Sequence, residues 1–282
     1  MTYREKYNLL KKIESKYINN TVIKSVLMDD GGFNDFTNLI MHFNDTLKNE
    51  KRVDDLIKRI LDGEPLQYVL GYAFFINSNY IVTPDVLIPR QETEQLAIGA
   101  LFYIKKYFPN KKKLTIVDVG TGSGILAIYL KENFTESNVI AVDISEKALE
   151  IARQNAKLHN VSVDFRLGDI LEPVNEKIDV IISNPPYILN AETVDEQTLK
   201  YEPHLALFSN PPIKFYEKIL TNIPKMKNEF FIAFEIGEDM KEELTNLLEN
   251  KYQGIGYNFE KDIYGKDRFL YILKKKDFDK YA

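Results

Sequence analysis

The apolar positions of this chain change period once, and that change divides it in two. From the start to about residue 75 they recur at helical spacing. Tyr3, Tyr7, Leu10, Ile13 and Tyr17 form one stripe, and Phe33, Phe36, Ile40, Phe43 and Leu47 a second. Val53, Leu56, Ile57, Ile60 and Leu61 form a third. Side chains three and four apart share a helix face, so each stripe predicts an amphipathic helix. Gly31-Gly32 separates two of these helices, and Pro65 is expected just beyond the last. Phe74, Phe75, Tyr80, Val82 and Val86 then sit among small and polar residues, which predicts a hairpin linker over 73–90.

From Lys113 onward, short apolar runs alternate with helical patterns. Strands are expected at 114–119, 139–142 (stopping before Asp143), 162–167, 178–183, 230–236 and 268–273. Helices are expected at 92–107, 123–133, 145–158, 212–225 and 238–250. Such alternation predicts an α/β domain over 91–282, a mostly parallel sheet with helices on both faces. The helical bundle over 1–72 carries no catalytic cluster, and its role is open between a packing unit and a partner-docking one.

Two segments of the α/β region carry chemistry. Asp118-Val119-Gly120-Thr121-Gly122-Ser123-Gly124 follows an apolar strand and opens a helix. Glycines let the backbone turn sharply and approach a ligand, and the helix start offers free N–H groups. The next strand runs into Asp143, 19 residues after Gly124, where an acid can accept from both hydroxyls of a ribose. Ser145 is the better helix cap, which frees Asp143 for that role. Asp169 and Ile170 close the third strand, where the acid can accept from an adenine amine and the apolar side chain can pack on its ring. The loop reads G-x-G-x-G, not the G-x-G-x-x-G of dinucleotide binders, and S-adenosylmethionine has no pyrophosphate to cradle. The methyl donor is the expected cofactor.

The second segment is Asn184-Pro185-Pro186-Tyr187, after the apolar run ending at Ser183. The prolines hold their backbone angles and have no N–H, so the Asn184 side-chain oxygen and the Pro185 carbonyl stand as acceptors on a stiff frame. Tyr187 offers a flat face. The arrangement suits a planar –NH2 group, an amide or a base amine.

Composition narrows the classes. Hydrophobic residues make up 44% of the 282, enough for a sizeable core, and there is no cysteine. Disulfides, thiolate metal sites and cysteine nucleophiles are excluded, and no metal is expected. The start is charged and without an apolar leader, and no apolar stretch is long enough for a bilayer, so a cytoplasmic location is the expectation. A net charge of −5 leans away from a duplex nucleic-acid partner. Lys111-Lys112-Lys113 and Lys274-Lys275-Lys276 read as solvated strand flanks. His42, His159 and His204 are scattered, which argues against a histidine base and for surface or helix-face roles.

The chain resembles the HemK-type protein-glutamine methyltransferases that modify peptide chain release factors, over nearly its whole length. Pro65-Leu66-Gln67-Tyr68-Val69-Leu70-Gly71 is similar to the family's interdomain segment, and Leu87-Ile88-Pro89-Arg90-Gln91-Glu92-Thr93-Glu94 to its hallmark, with Gln91 where a proline is usual. The glycine loop, Asn184-Pro185-Pro186-Tyr187-Ile188, Tyr201-Glu202-Pro203, Ala206-Leu207, Glu235-Ile236-Gly237 and the spacing of Asp262, Gly265 and Arg268 also match. Phe208-Ser209-Asn210-Pro211-Pro212 departs from the glycine-rich turn common there. The resemblance implies a class I, Rossmann-like, S-adenosylmethionine-dependent domain behind a helical substrate-docking domain. It implies N5-methylation of the glutamine in a release factor's Gly-Gly-Gln loop, with N5-methylglutamine and S-adenosylhomocysteine as products. Asn184, Pro185 and Tyr187 would be catalytic. Asn184, Pro185, Pro186 and Tyr187 would hold the substrate. Gly120, Thr121, Gly122, Ser123, Gly124, Asp143, Asp169, Ile170 and Asn184 would hold the cofactor. DNA N6-adenine methyltransferases share the clamp and are the alternative, although a basic groove and a target-recognition region are not evident here. A non-catalytic partner-binding protein would be expected to lose the loop or the clamp, and both are intact.

Overall fold

A computed structural model describes residues 1–274. The chain divides into two compact units, Met1–Tyr72 with Glu196–Tyr201, and Ala73–Asp195 with the residues from Glu202 onward.

The first unit is helical: α1 (Tyr3–Leu10), α2 (Asn20–Gly31), α3 (Phe36–Met41), α4 (Glu50–Leu61) and α5 (Leu66–Leu70). Its core gathers Tyr3, Leu10, Val26, Leu27, Leu39, Val53, Ile57 and Ile60. Helix starts follow side-chain capping. Thr2 and Glu5 cap α1 reciprocally, and Asn19, Asp35 and Asn49 each accept from an N–H one turn on. One expectation needs correction and one an addition. The second stripe yields only the six residues of α3, because Asp35 starts a helix that turns away at His42, and Ile40 is left exposed. Pro65 lies just beyond α4, the third of the expected helices, and a further short helix follows it. It stands at the N-cap of α5, where a missing N–H costs nothing. A segment distant in sequence, α9 (Glu196–Tyr201), completes the unit. Gln197 donates to the Gly63 carbonyl at 3.0 Å and Tyr201 to that of Asp62 at 3.1 Å.

In the second unit, the hairpin β1 (Tyr72–Phe75) and β2 (Ser78–Ile81) precedes α6 (Gln91–Tyr107). Then follow β3 (Thr115–Val119), α7 (Ile125–Asn133), β4 (Asn138–Asp143), α8 (Glu146–Leu158), β5 (Asp164–Leu167) and β6 (Ile178–Ser183). After α9 come α10 (His204–Leu207), α11 (Ile213–Leu220), β7 (Met226–Glu235), α12 (Lys241–Lys251), β8 (Gly256–Lys261) and β9 (Asp267–Lys274). The sheet order is β5-β4-β3-β6-β7-β9-β8. Pairing is parallel from β5 to β7 and antiparallel at β7–β9 and β9–β8. Strand residues alternate between two cores: Ile116, Val180, Ile182 and Phe231 meet α6 and α7, whereas Val117, Ile181, Ile232 and Phe234 meet α11 and α12.

The chain winds outward from β3 to β5, then returns to lay β6 on β3's other side. That reversal leaves a crevice at the carboxyl ends of β3 and β6, and both chemical segments emerge there. Asp143 lies inside β4, not just beyond it, because its carbonyl accepts the Gly168 N–H at 3.0 Å and extends the ladder to β5. The edge strand β8 escapes the apolar pattern because it is half exposed. The 212–225 helix stops at Leu220, with Pro224 inside a separate 3-10 turn. Lys111 is no free flank: it pairs with the fully buried Asp179, as does Lys227 at 2.6 Å. Of the second lysine run, Lys274 ends β9, and Lys275 and Lys276 lie outside the described residues.

Candidate active site

The glycine loop is shaped by short-range contacts. Gly120, Gly122 and Gly124 all take positive φ, at 72°, 53° and 83°, where a side chain would be strained. The N–H groups of Gly120 and Thr121 both donate to the Val142 carbonyl, at 2.9 and 3.0 Å, tying the loop to β4. Beneath it the fully buried Asp118 accepts from the Thr121 hydroxyl at 2.6 Å and the Ala127 N–H at 3.1 Å. Burial pushes Asp118 up to about 7, against the pull of those donors. Asp143 accepts from Gly122 N–H and from Ser145 N–H, each at 2.9 Å. Ser145 caps α8 through the Ala148 N–H, which leaves Asp143 to hold the loop and face the cavity. Burial raises the Asp143 carboxyl too, and its backbone donors oppose the shift.

The clamp is shaped from far along the chain. Asn184 follows the fully buried β6, whose Ser183 hydroxyl donates to the Val119 carbonyl at 2.6 Å. The Asn184 amide nitrogen donates to the Thr93 hydroxyl oxygen at 3.0 Å. Thr93, on the first turn of α6, donates in turn to Glu235 Oε2 at 2.8 Å. Tyr187 donates to Glu235 Oε1 at 3.1 Å, and Tyr216 donates to the Glu235 carbonyl at 2.9 Å. The Arg268 guanidinium carbon lies 5.9 Å from the centre of the Tyr187 ring. Burial pushes Glu235 up to about 7, while Thr93, Tyr187 and Arg268 pull it down. Burial and the neighbouring Glu235 raise the Tyr187 hydroxyl well above its ordinary value.

Loop and clamp meet on one cavity of about 350 Å³. Gly120, Thr121, Gly122, Ser123, Asp143, Asp169, Ile170, Asn184 and Pro186 all line it. Gly124, Pro185 and Tyr187 do not line it. At Gly124 a Cβ would come within 3.0 Å of the Ala152 Cβ, so its smallness serves the packing of α7 on α8. Pro185 is buried, and Tyr187 turns its hydroxyl to Glu235. Asp169 is paired with Lys218 at 2.9 Å, and Ile170 holds a φ of 56°, a strained angle for a β-branched residue. None of the three histidines lines the cavity. His159 is not a surface residue: its ring stacks on Tyr80 at 4.1 Å and its side chain is 6% exposed.

Several residues on or beside the cavity stood in the family segments without a role of their own, or in no such segment. Glu202 is buried and accepts from the Ile88 N–H at 3.1 Å and from Arg90 at 2.6 Å, fixing the segment ahead of α6. Gln91 opens α6, a position a proline also tolerates, and its side chain accepts from Tyr264 at 3.3 Å. Phe208 and Ser209, in the stretch lacking the glycine-rich turn, line the cavity. Ser209 N–H donates to the Ile188 carbonyl at 3.1 Å, as Ile188 N–H does to Leu207. Phe215 and Lys218, one turn apart on α11, complete that wall. Their spacing was the only available signal, and it served equally well for an ordinary surface helix.

The methyltransferase small domain family matches residues 93–200, which span the glycine loop and the clamp. The fold is similar to the hMettl16 catalytic domain, with a TM-score of 0.54 at 12% identity over 82% of this chain and 85% of that one. It is also similar to the human methyltransferase 10 domain containing protein, at 0.50 and 13%, over 69% and 88%. Closer in sequence is the release factor glutamine methyltransferase of Staphylococcus aureus, 38% identical over 83% of this chain and 85% of that protein. The protein of that name from Bacillus subtilis is 39% identical over 77% of each. With this identity over about four-fifths of its length, and a Rossmann-like sheet that brings a glycine loop and Asn184 and Pro186 of the clamp to one cavity, the chain belongs to the release factor glutamine methyltransferase family.

Proposed function

We propose that this protein methylates the side-chain amide nitrogen, N5, of the glutamine in a release factor's Gly-Gly-Gln loop, with S-adenosylmethionine as donor. The observation that carries the reading is Asn184: its amide nitrogen is committed to Thr93, which leaves Oδ1 as an acceptor at the cavity the glycine loop also lines.

The cavity fits the donor. A Cβ at Gly120 or Gly122 would meet no atom within 4 Å, so the loop backbone is open to a close approach. Asp143 spends one lone pair of each oxygen on a backbone N–H and keeps acceptor capacity for ribose hydroxyls. Asp169 uses Oδ2 on Lys218 and has Oδ1 for an adenine amine, beside the apolar Ile170. Thr121, Ser123 and Gly124 shape the loop around these contacts. When bound, the donor supplies a strongly electrophilic methyl group on a sulfonium.

A glutamine amide nitrogen is a poor nucleophile because its lone pair is delocalised into the carbonyl. The chain's task is to fix that nitrogen and favour its pyramidal form. Asn184 Oδ1, at the cavity, and the carbonyl of Pro185, whose ring is buried outside the lining, each accept one of its hydrogens, and the two prolines that follow Asn184 keep these acceptors stiff. Such alignment is worth on the order of 7–11 kcal/mol in ideal cases. Pro186 packs against the glutamine side chain from the cavity wall, and Tyr187 backs it from outside the lining, tied to Glu235. No base acts first, because methylation acidifies the nitrogen and the proton leaves afterwards to solvent. The helical unit of 1–72 serves to dock the release factor, and the protein works in the cytoplasm. Among the described residues no helix is long and apolar enough to cross a membrane.

Incubation with a release factor and S-adenosylmethionine, followed by peptide mass spectrometry, tests the assignment. A gain of about 14 daltons, one methylene, on the Gly-Gly-Gln glutamine is expected. Methylation of adenine in DNA with the release factor unmodified would transfer the protein to the alternative class.

A further inference from the structure

The clamp asparagine poses a problem that the clamp does not solve by itself. A side-chain amide has an acceptor end and a donor end of nearly equal size, and a half-turn about its last bond exchanges them. Only the orientation with Oδ1 toward the cavity can receive a substrate N–H. The opposite orientation would present two donors to a donor. We infer that Thr93 and Glu235 are positioning residues that set this orientation; the inference rests on the proposed role of Asn184.

The argument runs from the buried end outward. Glu235 closes β7, and its side chain is enclosed by Thr93, Tyr187 and the Arg268 region. In its ionised form, which prevails as pH rises above about 7, the Glu235 carboxylate accepts and cannot donate, and it is this form that orders the row. Thr93, 3% exposed, has one hydroxyl hydrogen, and Glu235 Oε2 at 2.8 Å takes it. The Thr93 oxygen is then left with lone pairs only, facing Asn184 at 3.0 Å. Only the –NH2 end of Asn184 can meet them. Polarity is passed along the row, carboxylate to hydroxyl to amide, and ends with Oδ1 turned to the cavity. Tyr187, donating to the other oxygen of the same carboxylate at 3.1 Å, is tied to the row as well. Thr93 reaches the cavity wall and Glu235 does not, and the hydroxyl of Thr93 is spent within the row. They act through Asn184 and Tyr187.

Valine is the same shape as threonine without the hydroxyl, and serine keeps the hydroxyl without the methyl. Thr93→Val is therefore expected to lower kcat for release-factor methylation about 10- to 10²-fold, with KM for the release factor and the Kd for S-adenosylmethionine each within about 3-fold. Thr93→Ser is expected to stay within about 3-fold of the unmodified protein. In an Asn184→Ala background Thr93→Val should cost nothing further, because the residue it orients is gone. A Thr93→Val loss equally large in the Asn184→Ala background would overturn the inference. So would loss in Thr93→Ser matching that in Thr93→Val, a fall in cofactor affinity that accounts for the lost turnover, or undiminished kcat in Thr93→Val. Failure of the underlying reading looks different: Asn184→Ala alone would then leave turnover intact.

Discussion

The two walls of the cavity are built on different principles. The glycine wall holds itself. Thr121 bonds an acid three residues back, Gly122 an acid on the neighbouring strand, and both acids belong to the β3–β4 pair that supports the loop. The clamp wall is held by strangers in sequence, with Asn184 on Thr93, 91 residues away, and Thr93 on Glu235, 142 residues away. A self-supporting loop can be recognised wherever its residues occur together. A clamp oriented from a distant helix and strand can be recognised as present, but its direction is invisible until the fold closes. The contrast has a functional counterpart: damage to the glycine wall should be read in cofactor affinity, and damage to the clamp wall in turnover.

The largest expected effect separates the walls. Asn184→Ala removes an acceptor used mainly in the transition state, so kcat should fall about 10²-fold or more while calorimetric affinity for S-adenosylmethionine stays within about 3-fold. Turnover close to normal would erase the division. Asp143→Ala should do the reverse, weakening S-adenosylmethionine by about 10-fold or more, since hydrogen bonds to a charged group contribute about 1.5–3 kcal/mol. An unchanged Kd would remove Asp143 from the cofactor's holders.

A smaller effect reads the clamp wall through pH. Burial lifts Glu235 to about 7 in the fold, above the ordinary carboxylate value of 4.5. Between those values the folded chain holds a proton that the unfolded chain has released. The group's contribution is therefore complete below about 4.5 and is lost as pH rises through about 7. Asp118 adds the same sign on the glycine wall, from 3.8 to about 7. In Glu235→Gln, urea melts between pH 5 and 7.5 should show a shallower decline in stability than the parent. Parallel declines would mean that Glu235 does not titrate in that window. Lys218→Met should matter least. Its ion pair with Asp169 is about half exposed, and such pairs contribute about 0–1 kcal/mol. Thermal melts should shift by no more than that implies, and a larger shift would make Lys218 a structural member of the wall.

Much of this was written in the chain. The period change near residue 75, the alternation after Lys113, the loop opening α7 and the Asn-Pro-Pro-Tyr after β6 are all local patterns, and strand and helix periodicity needs no partner to be legible. Legibility failed where a partner was required. Strand β8 is half exposed at the sheet's edge, so alternation against a single core is blurred. The short α9 has no buried face of its own to announce it, and it joins the first unit through Gly63 and Asp62, more than 130 residues earlier. Phe208, Ser209 and Lys218 line the cavity only because their segments return over it.

By itself the sequence determined that the chain carries a glycine loop after one strand and an Asn-Pro-Pro-Tyr segment after another, and with them the expectation of a nucleoside-like donor and a planar –NH2 group, for both segments are encoded by neighbours in the chain. Tertiary structure alone decided which end of Asn184 faces the cavity. That choice depends on a hydroxyl and a carboxylate brought in from α6 and β7, and a hydrogen bond's direction is a property of the assembled row and of no residue within it.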